Sequence, residues 1–130
     1  MNGDISHGLP PLCTSGNRIV DTQTGESVIL RGVNRSGLEY SEPADGGFLS
    51  SAGLSWREVC EIAQGWGANV IRLPINQDWV LHGRGSCSAE SYRQSLDSVI
   101  GWAASAGAYT LLDLQWLDAD TSFGHLRTAP

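Results

Sequence analysis

Three stretches of this 130-residue chain end in side chains able to handle a polar ligand: "ILRGVNRSGLEYSEP", "NVIRLPINQDW" and "YTLLDLQWLDADT". Each begins as an apolar run and breaks into polar residues. The amides of Asn34, Asn76 and Gln115 each offer a donor and an acceptor, as recognition of a hydroxyl group requires. Arg72 offers a fixed guanidinium fork suited to a carboxylate. Trp116 offers a flat apolar face with one polar handle. Glu39, Asp113, Asp118 and Asp120 supply acceptors. Simpler uses exist for some of them: Asn34 can bond a turn, and Asp118 and Asp120 can cap a helix. Arg72 is harder to explain in that way. At the end of a buried strand a cation needs a carboxylate partner or a functional reason.

The elements that must position these groups follow from periodicity. Residues 1–16 read as a flexible leader. "NRIVDTQTGESVILRGVN" reads as a hairpin, with Ile19 and Val20 in the first arm, a turn at "TQTG", and Val28 to Val33 in the second. Ser55 is a helix cap, followed by an apolar face of Trp56, Val59, Cys60 and Ala63. "NVIRLPI" is a short strand that Pro74 should end. Ser88 caps the next helix, whose apolar face is Tyr92, Leu96, Val99, Ile100 and Ala103, with Arg93 and Asp97 able to pair on the outer side. Tyr109 to Leu114 is the third strand. Alternating β and α with apolar strands predicts an α/β fold with a parallel sheet. The loops after the strands are long and polar, whereas the returns "GWGAN" and "SAGAY" are short. In such folds ligands meet the carboxyl ends of the strands, so Asn34, Glu39, Arg72, Asn76, Gln115 and Trp116 are expected to converge on one rim.

Composition narrows the partners. Hydrophobic residues make up 41% and charged residues 17%, a globular balance. Eight basic residues against 14 acidic ones give a net charge of −6, which argues against nucleic acid or an anionic membrane as partner. No apolar run is long enough to span a bilayer, and the start has neither the cationic nor the apolar region of a signal peptide. Five tryptophans against two phenylalanines suit either sugar-stacking surfaces or a core. Of the three cysteines, Cys60 falls on a helical apolar stripe, while Cys13 and Cys87 lie in loop-like contexts and can pair in an oxidising compartment. Cys87 with His82 lacks further ligands at a metal-binding spacing, so no metal is expected. "GGF" and "GRG" do not follow a strand and open a helix as a phosphate loop must.

Taken together and in this order, "ILRGVNRSGLEYSEP", "NVIRLPI" and "YTLLDLQW" resemble the amino-terminal part of glycoside hydrolase family 5, the cellulase-like retaining enzymes built on a (β/α)8 barrel. The resemblance covers about residues 17 to 126. It implies a partial barrel over residues 17–130, comprising the hairpin, the first three parallel strands and two helices. It implies that Arg72 supports a catalytic nucleophile, and that Gln115, with Asn34, Glu39 and Trp116, binds sugar. Trp116 serves equally well for stacking on a pyranose or for packing beneath the rim. The family usually carries histidine where this chain has Gln115, and glutamine cannot carry a titratable proton. No cofactor is implied, since such hydrolysis uses carboxylates and water, and the parent protein is expected to be secreted.

A barrel of this kind takes about 250 residues. The family's two catalytic glutamates end the fourth and seventh strands and are expected beyond Pro130. The expectation is therefore a piece of a β-glucan-directed, endoglucanase-like retaining hydrolase, acting on polysaccharide or oligosaccharide but inactive alone. Its open sheet edges are expected to invite self-association. The alternative is a non-catalytic carbohydrate-binding or interaction module on a reduced α/β scaffold.

Overall fold

Val70–Asn76 (β4) is the strand on which the molecule is organised, and the computed structural model describes residues 8–117. Its alternate residues Ile71, Leu73 and Ile75 are buried, and its opposite face carries Arg72. Parallel neighbours flank it: Gly32–Asn34 (β3) on one side and Tyr109–Trp116 (β5) on the other. Gly32 permits the close approach of β3, since a Cβ there would lie 1.7 Å from the carbonyl oxygen of Val70. The predicted α/β architecture and parallel sheet hold.

The buried face of the sheet is covered by two helices that follow the expected periods. Trp56–Cys60 (α2) continues into a π-helical turn, Glu61–Gly65, and Ala89–Ser105 (α4) runs beside it. Ser55 and Ser88 cap them as expected, accepting from the amides of Glu58 at 3.4 Å and Ser91 at 3.1 Å. Val59, Ile62, Ala63, Leu96, Val99 and Ala103 form one core with Ile71, Leu73 and Ile75. Trp56, placed on the apolar face by its spacing, is 55% exposed; Ile62, six residues later, joins the buried stripe instead. Arg93 bonds Glu90 and the carbonyl of Val80 rather than Asp97. Among the described residues no helix is long and apolar enough to cross a membrane.

Four expectations need correction. The hairpin lies upstream of the one read from the sequence: Leu12–Ser15 (β1) pairs antiparallel with Arg18–Asp21 (β2) around Gly16, whose φ of 61° suits a tight turn. The flexible leader expected over residues 1–16 thus includes a strand. "TQTG" does turn the chain, with Asp21 accepting from the amides of Gln23 and Thr24. It leads only to one bridge, Val20 to Ser27, and Ile29 is 61% exposed.

Pro74 does not end β4. The Arg72 carbonyl accepts from Arg35, beside β3, so residues of that parity turn their main-chain groups toward β3. β3 stops at Asn34, the partner of Arg72, and a proline two residues further on forfeits no ladder bond. β5 also differs from a buried strand: it is one of the two sheet edges among the described residues, and Leu111, Leu112 and Leu114 are exposed. Finally, two short helices, Gly47–Ser51 (α1) and Gln77–His82 (α3), occupy stretches read as loop. Cys13, Cys60 and Cys87 are all free thiols.

Candidate functional site

β3, β4 and β5 bring four polar side chains together on the sheet face opposite the helices, and Arg72, read from the sequence as ending its strand, is the third of the seven residues of β4. Arg72 lies at their centre. Its Nη2 donates to the carboxylate of Asp113 and, at 2.9 Å, to Oε1 of Gln115. Its Nη1 reaches Oδ1 of Asn34 at 3.3 Å. Strand parity explains the convergence, because Asp113 and Gln115 are two residues apart and so share a face. The side chains of Arg72 and Asp113 remain 34% and 32% accessible. The pair is therefore a wetted ion pair with a fixed fork rather than a sealed internal bridge.

Asp113 is the carboxylate that the position of Arg72 demanded. The arrangement presents an oriented guanidinium and two carboxamides to whatever lies over that face of the sheet. Such groups hold and orient hydroxyls and carboxylates. Among the described residues no group of three or more His, Cys, Asp or Glu side chains could hold a metal ion.

Glu39 and Asn76, expected at the open rim, are turned inward instead. Glu39 is 4% exposed, and its carboxylate accepts from the amide of Gly37 at 2.7 Å. Asn76 is 1% exposed; its Nδ2 donates to the carbonyl of Glu39 at 3.1 Å, and its Oδ1 caps α3 by accepting from Asp78 at 3.0 Å. Tyr92 reaches the same loop from α4. Its hydroxyl donates to the carbonyl of Leu38 at 2.9 Å and accepts from the amide of Asn76 at 3.1 Å. Burial pushes the Tyr92 phenol up to about 12, with a further small rise from Glu39 opposed by the Asn76 hydrogen bond. The hydroxyl therefore keeps its donor proton at neutral pH.

Trp116 owes its place to an irregularity. The β4–β5 register shifts between Ile75 and Asn76, so that Ile75 faces Leu114 and Asn76 faces Trp116. Gln115 falls in the extra position. A bulge of this kind re-aims side chains. Here consecutive residues both serve the mouth, Gln115 toward Arg72 and Trp116 toward Tyr40, whose ring centroid lies 6.2 Å away. Tyr40 was missed in the sequence because a lone aromatic in a Gly- and Ser-rich loop carries no periodic signal. Asp118 and Asp120 lie outside the described residues.

A second ion pair ties the loop after β3 to the turn after α3. Arg84 grips both carboxylate oxygens of Glu42, with contacts of 2.7 to 2.9 Å. The hydrogen bonds from Arg84 hold the Glu42 carboxyl below its ordinary value of 4.5, burial acting weakly against them. A depressed carboxyl stabilises the fold fully above its unfolded value, and that stabilisation is lost as pH falls through the folded value. Because Glu42 is well exposed, the effect is below about 1 kcal/mol. In urea titrations, Glu42→Gln is expected to unfold slightly earlier than the parent at pH 7. That gap should narrow as pH falls below the ordinary carboxyl value. A gap that acid does not narrow would mean the pair acts through packing rather than charge.

No protein-family model matches the chain, and a search of curated proteins finds no match. Solved structures do match. An endogalactoceramidase superposes with a TM-score of 0.59 and 24% identity, over 78% of this chain and 22% of its own. A β-glucanase from Saccharophagus degradans, solved in complex with cellotetraose, gives 0.57 and 27% identity over 78% and 27%. The catalytic domain of an endoglucanase from Thermobifida fusca, also solved with cellotetraose, gives 0.53 and 21% over 81% and 30%. The chain thus spans about a quarter of the length of the structures it matches.

Proposed function

Starting from a chain folded as the amino-terminal part of a glycoside hydrolase family 5 barrel, we propose that its rim binds saccharide in a retaining, β-glucan-directed, endoglucanase-like hydrolase. The observation that carries this reading is the Arg72 fork, held by Asp113, Gln115 and Asn34 on the face of three parallel strands opposite the helices. In the parent protein, Arg72 orients and stabilises the nucleophile, while Gln115 and Trp116 meet the sugar. Asp113 positions Arg72 and keeps it from bonding elsewhere. Gln115 replaces a titratable side chain by a neutral amide, so it binds without passing protons. We place the parent outside the cell on the same resemblance. The exposed leucines of β5 make self-association through that edge part of the reading.

Retaining chemistry uses two carboxyl groups about 5 Å apart across the scissile bond. Among the described residues, the carboxylate of Asp113 is engaged by Arg72 and that of Glu39 is turned to Gly37. This chain is therefore expected to bind without hydrolysing. The test is a titration with cellohexaose, followed by the side-chain amide resonances of Gln115 and by release of reducing ends. Binding that weakens several-fold in Gln115→Ala, with no reducing ends released, supports the reading. No perturbation of Gln115 at millimolar cellohexaose overturns it. A carbohydrate-binding module without catalysis predicts the same binding, and the two part only when hydrolysis is assayed on a longer chain containing the remaining strands.

A further inference from the structure

Resting on the saccharide reading above, we propose that Arg35 is a positioning residue: locked to Glu58 on the helix side of the sheet, it holds Asn34 against Arg72 and so sets the affinity of a site it does not touch. Asn34 has the least support of its own in the Arg72 cluster. It is the last of the three residues of β3, which pairs with β4 alone and forms the other sheet edge among the described residues. Its Oδ1 takes the longest of the Arg72 contacts, 3.3 Å. Short ends with few neighbours fray first. Arginine has donors only, so the Asn34 atom facing it is Oδ1, and the NH2 group is what Asn34 offers a ligand. Were the end of β3 to swing away, that donor would go with it.

Arg35 secures that end from two directions. Its amide donates to the carbonyl of Arg72 at 2.9 Å, one residue beyond the paired register of β3 and β4. Its side chain departs on the helix side, where the guanidinium meets both carboxylate oxygens of Glu58: Nε reaches Oε1, and Nη2 reaches Oε2 at 3.0 Å. Nη2 also donates to the carbonyl of Ala52 at 3.1 Å, just past α1, and Nη1 donates to that of Ser36. A fixed fork on a carboxylate is a geometry that lysine does not reproduce. Glu58 is itself held, with its amide on the Ser55 cap and its neighbour Val59 in the core. The chain passes close over the fork: a Cβ on Gly37 would lie 3.1 Å from Nη1, at a φ of 137° that also favours glycine. The side chains of the pair are only 22% and 34% accessible, so water screens it less than a bridge on the open surface. The place of Asn34 is thus fixed by α2 and the core, through one neighbouring residue, rather than by its own short strand.

The experiment uses this chain with cellohexaose as the probe and a cycle of variants: Asn34→Ala, Arg35→Met, and the two combined. Asn34→Ala is expected to weaken binding roughly two- to tenfold, the effect of one ordinary hydrogen bond. Arg35→Met, which keeps the aliphatic stem, should weaken it by a similar factor, and the double variant should be no weaker than Asn34→Ala, because both remove the same contact. Arg35→Lys, a charge without a fork, should resemble Arg35→Met. In Arg35→Met the side-chain amide resonances of Asn34 should shift while those of Gln115 stay in place. Should Arg35→Met fail to fold, Glu58→Gln, which keeps the size of the partner and removes its charge, replaces it in the cycle with the same expectations. Losses that simply add in the double variant overturn the proposal, since Arg35 would then act elsewhere. Parent-like binding by Asn34→Ala, with Gln115→Ala weakened, leaves the saccharide site standing and also overturns it. If cellohexaose perturbs nothing in the folded parent, the saccharide reading fails, and the Asn34 resonances alone then decide whether Arg35 holds that side chain: no shift in Arg35→Met means that it does not.

Discussion

Tyr92→Phe is expected to lower the stability of this chain by about 2–4 kcal/mol, although it removes a single oxygen atom. The ring of Tyr92 is completely buried and packs edge-on against Phe48, with centroids 4.7 Å apart, and against Trp79 at 5.7 Å. Phenylalanine keeps those contacts. What it loses is the hydroxyl that serves two main-chain groups at once, the carbonyl of Leu38 and the amide of Asn76. Both lie in the interior, where an unpaired donor or acceptor costs about 1–3 kcal/mol. The check is urea unfolding followed by circular dichroism. With an m-value of roughly 2 kcal/mol/M, the midpoint should fall by about 1–2 M at unchanged slope. Amide exchange should rise at Tyr40 and Ser41, because the loop has lost one of its supports. A midpoint shift below about 0.3 M would show that the hydroxyl is not what holds the loop.

This outcome bears on which parts of the molecule were legible in the sequence. The periodic elements were. Tyr92, Leu96, Val99 and Ala103 repeat at helical spacing and are all buried, and both serine caps stand where the patterns begin. The parallel order of β3, β4 and β5 follows from alternation, as does the shared face of Asp113 and Gln115. Elements shorter than two helical turns were not legible: α1 and α3 have five and six residues, too few to show a stripe.

Misreadings came from local rules overridden by neighbours. Pro74 ends a strand only if its missing N–H faces a partner, and β3 is too short to provide one. The turn at "TQTG" exists, yet the longer pairing goes to β1, whose residues look featureless alone. Glu39 and Asn76 were placed at the rim by chain position. The network that turns them inward involves Tyr92, more than a dozen residues downstream of Asn76, and no short window contains it. The bulge that lets Gln115 and Trp116 both serve the mouth is a property of the pairing between two strands rather than of either sequence.

Asn76→Ala is the second substitution with a large expected effect, about 2–4 kcal/mol. The side chain does two jobs in a place where water does not substitute readily, being 1% exposed. As the N-cap of α3 it accepts from the amide of Asp78, a role whose loss costs typically about 1 kcal/mol. As a donor it satisfies the buried carbonyl of Glu39, whose orphaning adds about 1–3 kcal/mol. Asn76→Asp separates the two. Aspartate caps at least as well and favours the positive end of a helix, but at neutral pH it has no proton to give the Glu39 carbonyl. It would also set a buried negative charge against that oxygen. Asn76→Asp should therefore be no more stable than Asn76→Ala at pH 7, despite being the better cap. Its deficit should shrink as pH falls below about 5, because a protonated carboxyl regains a donor. Urea midpoints of both variants from pH 4 to pH 8 provide the measurement. If Asn76→Asp matched the parent at pH 7, the cap alone would account for Asn76, and the contact with Glu39 would not be what fixes the loop beneath Tyr40. A parallel loss of cellohexaose binding in both variants, without any change at Arg72, would tie that loop to the site through Tyr40 rather than through the charged cluster.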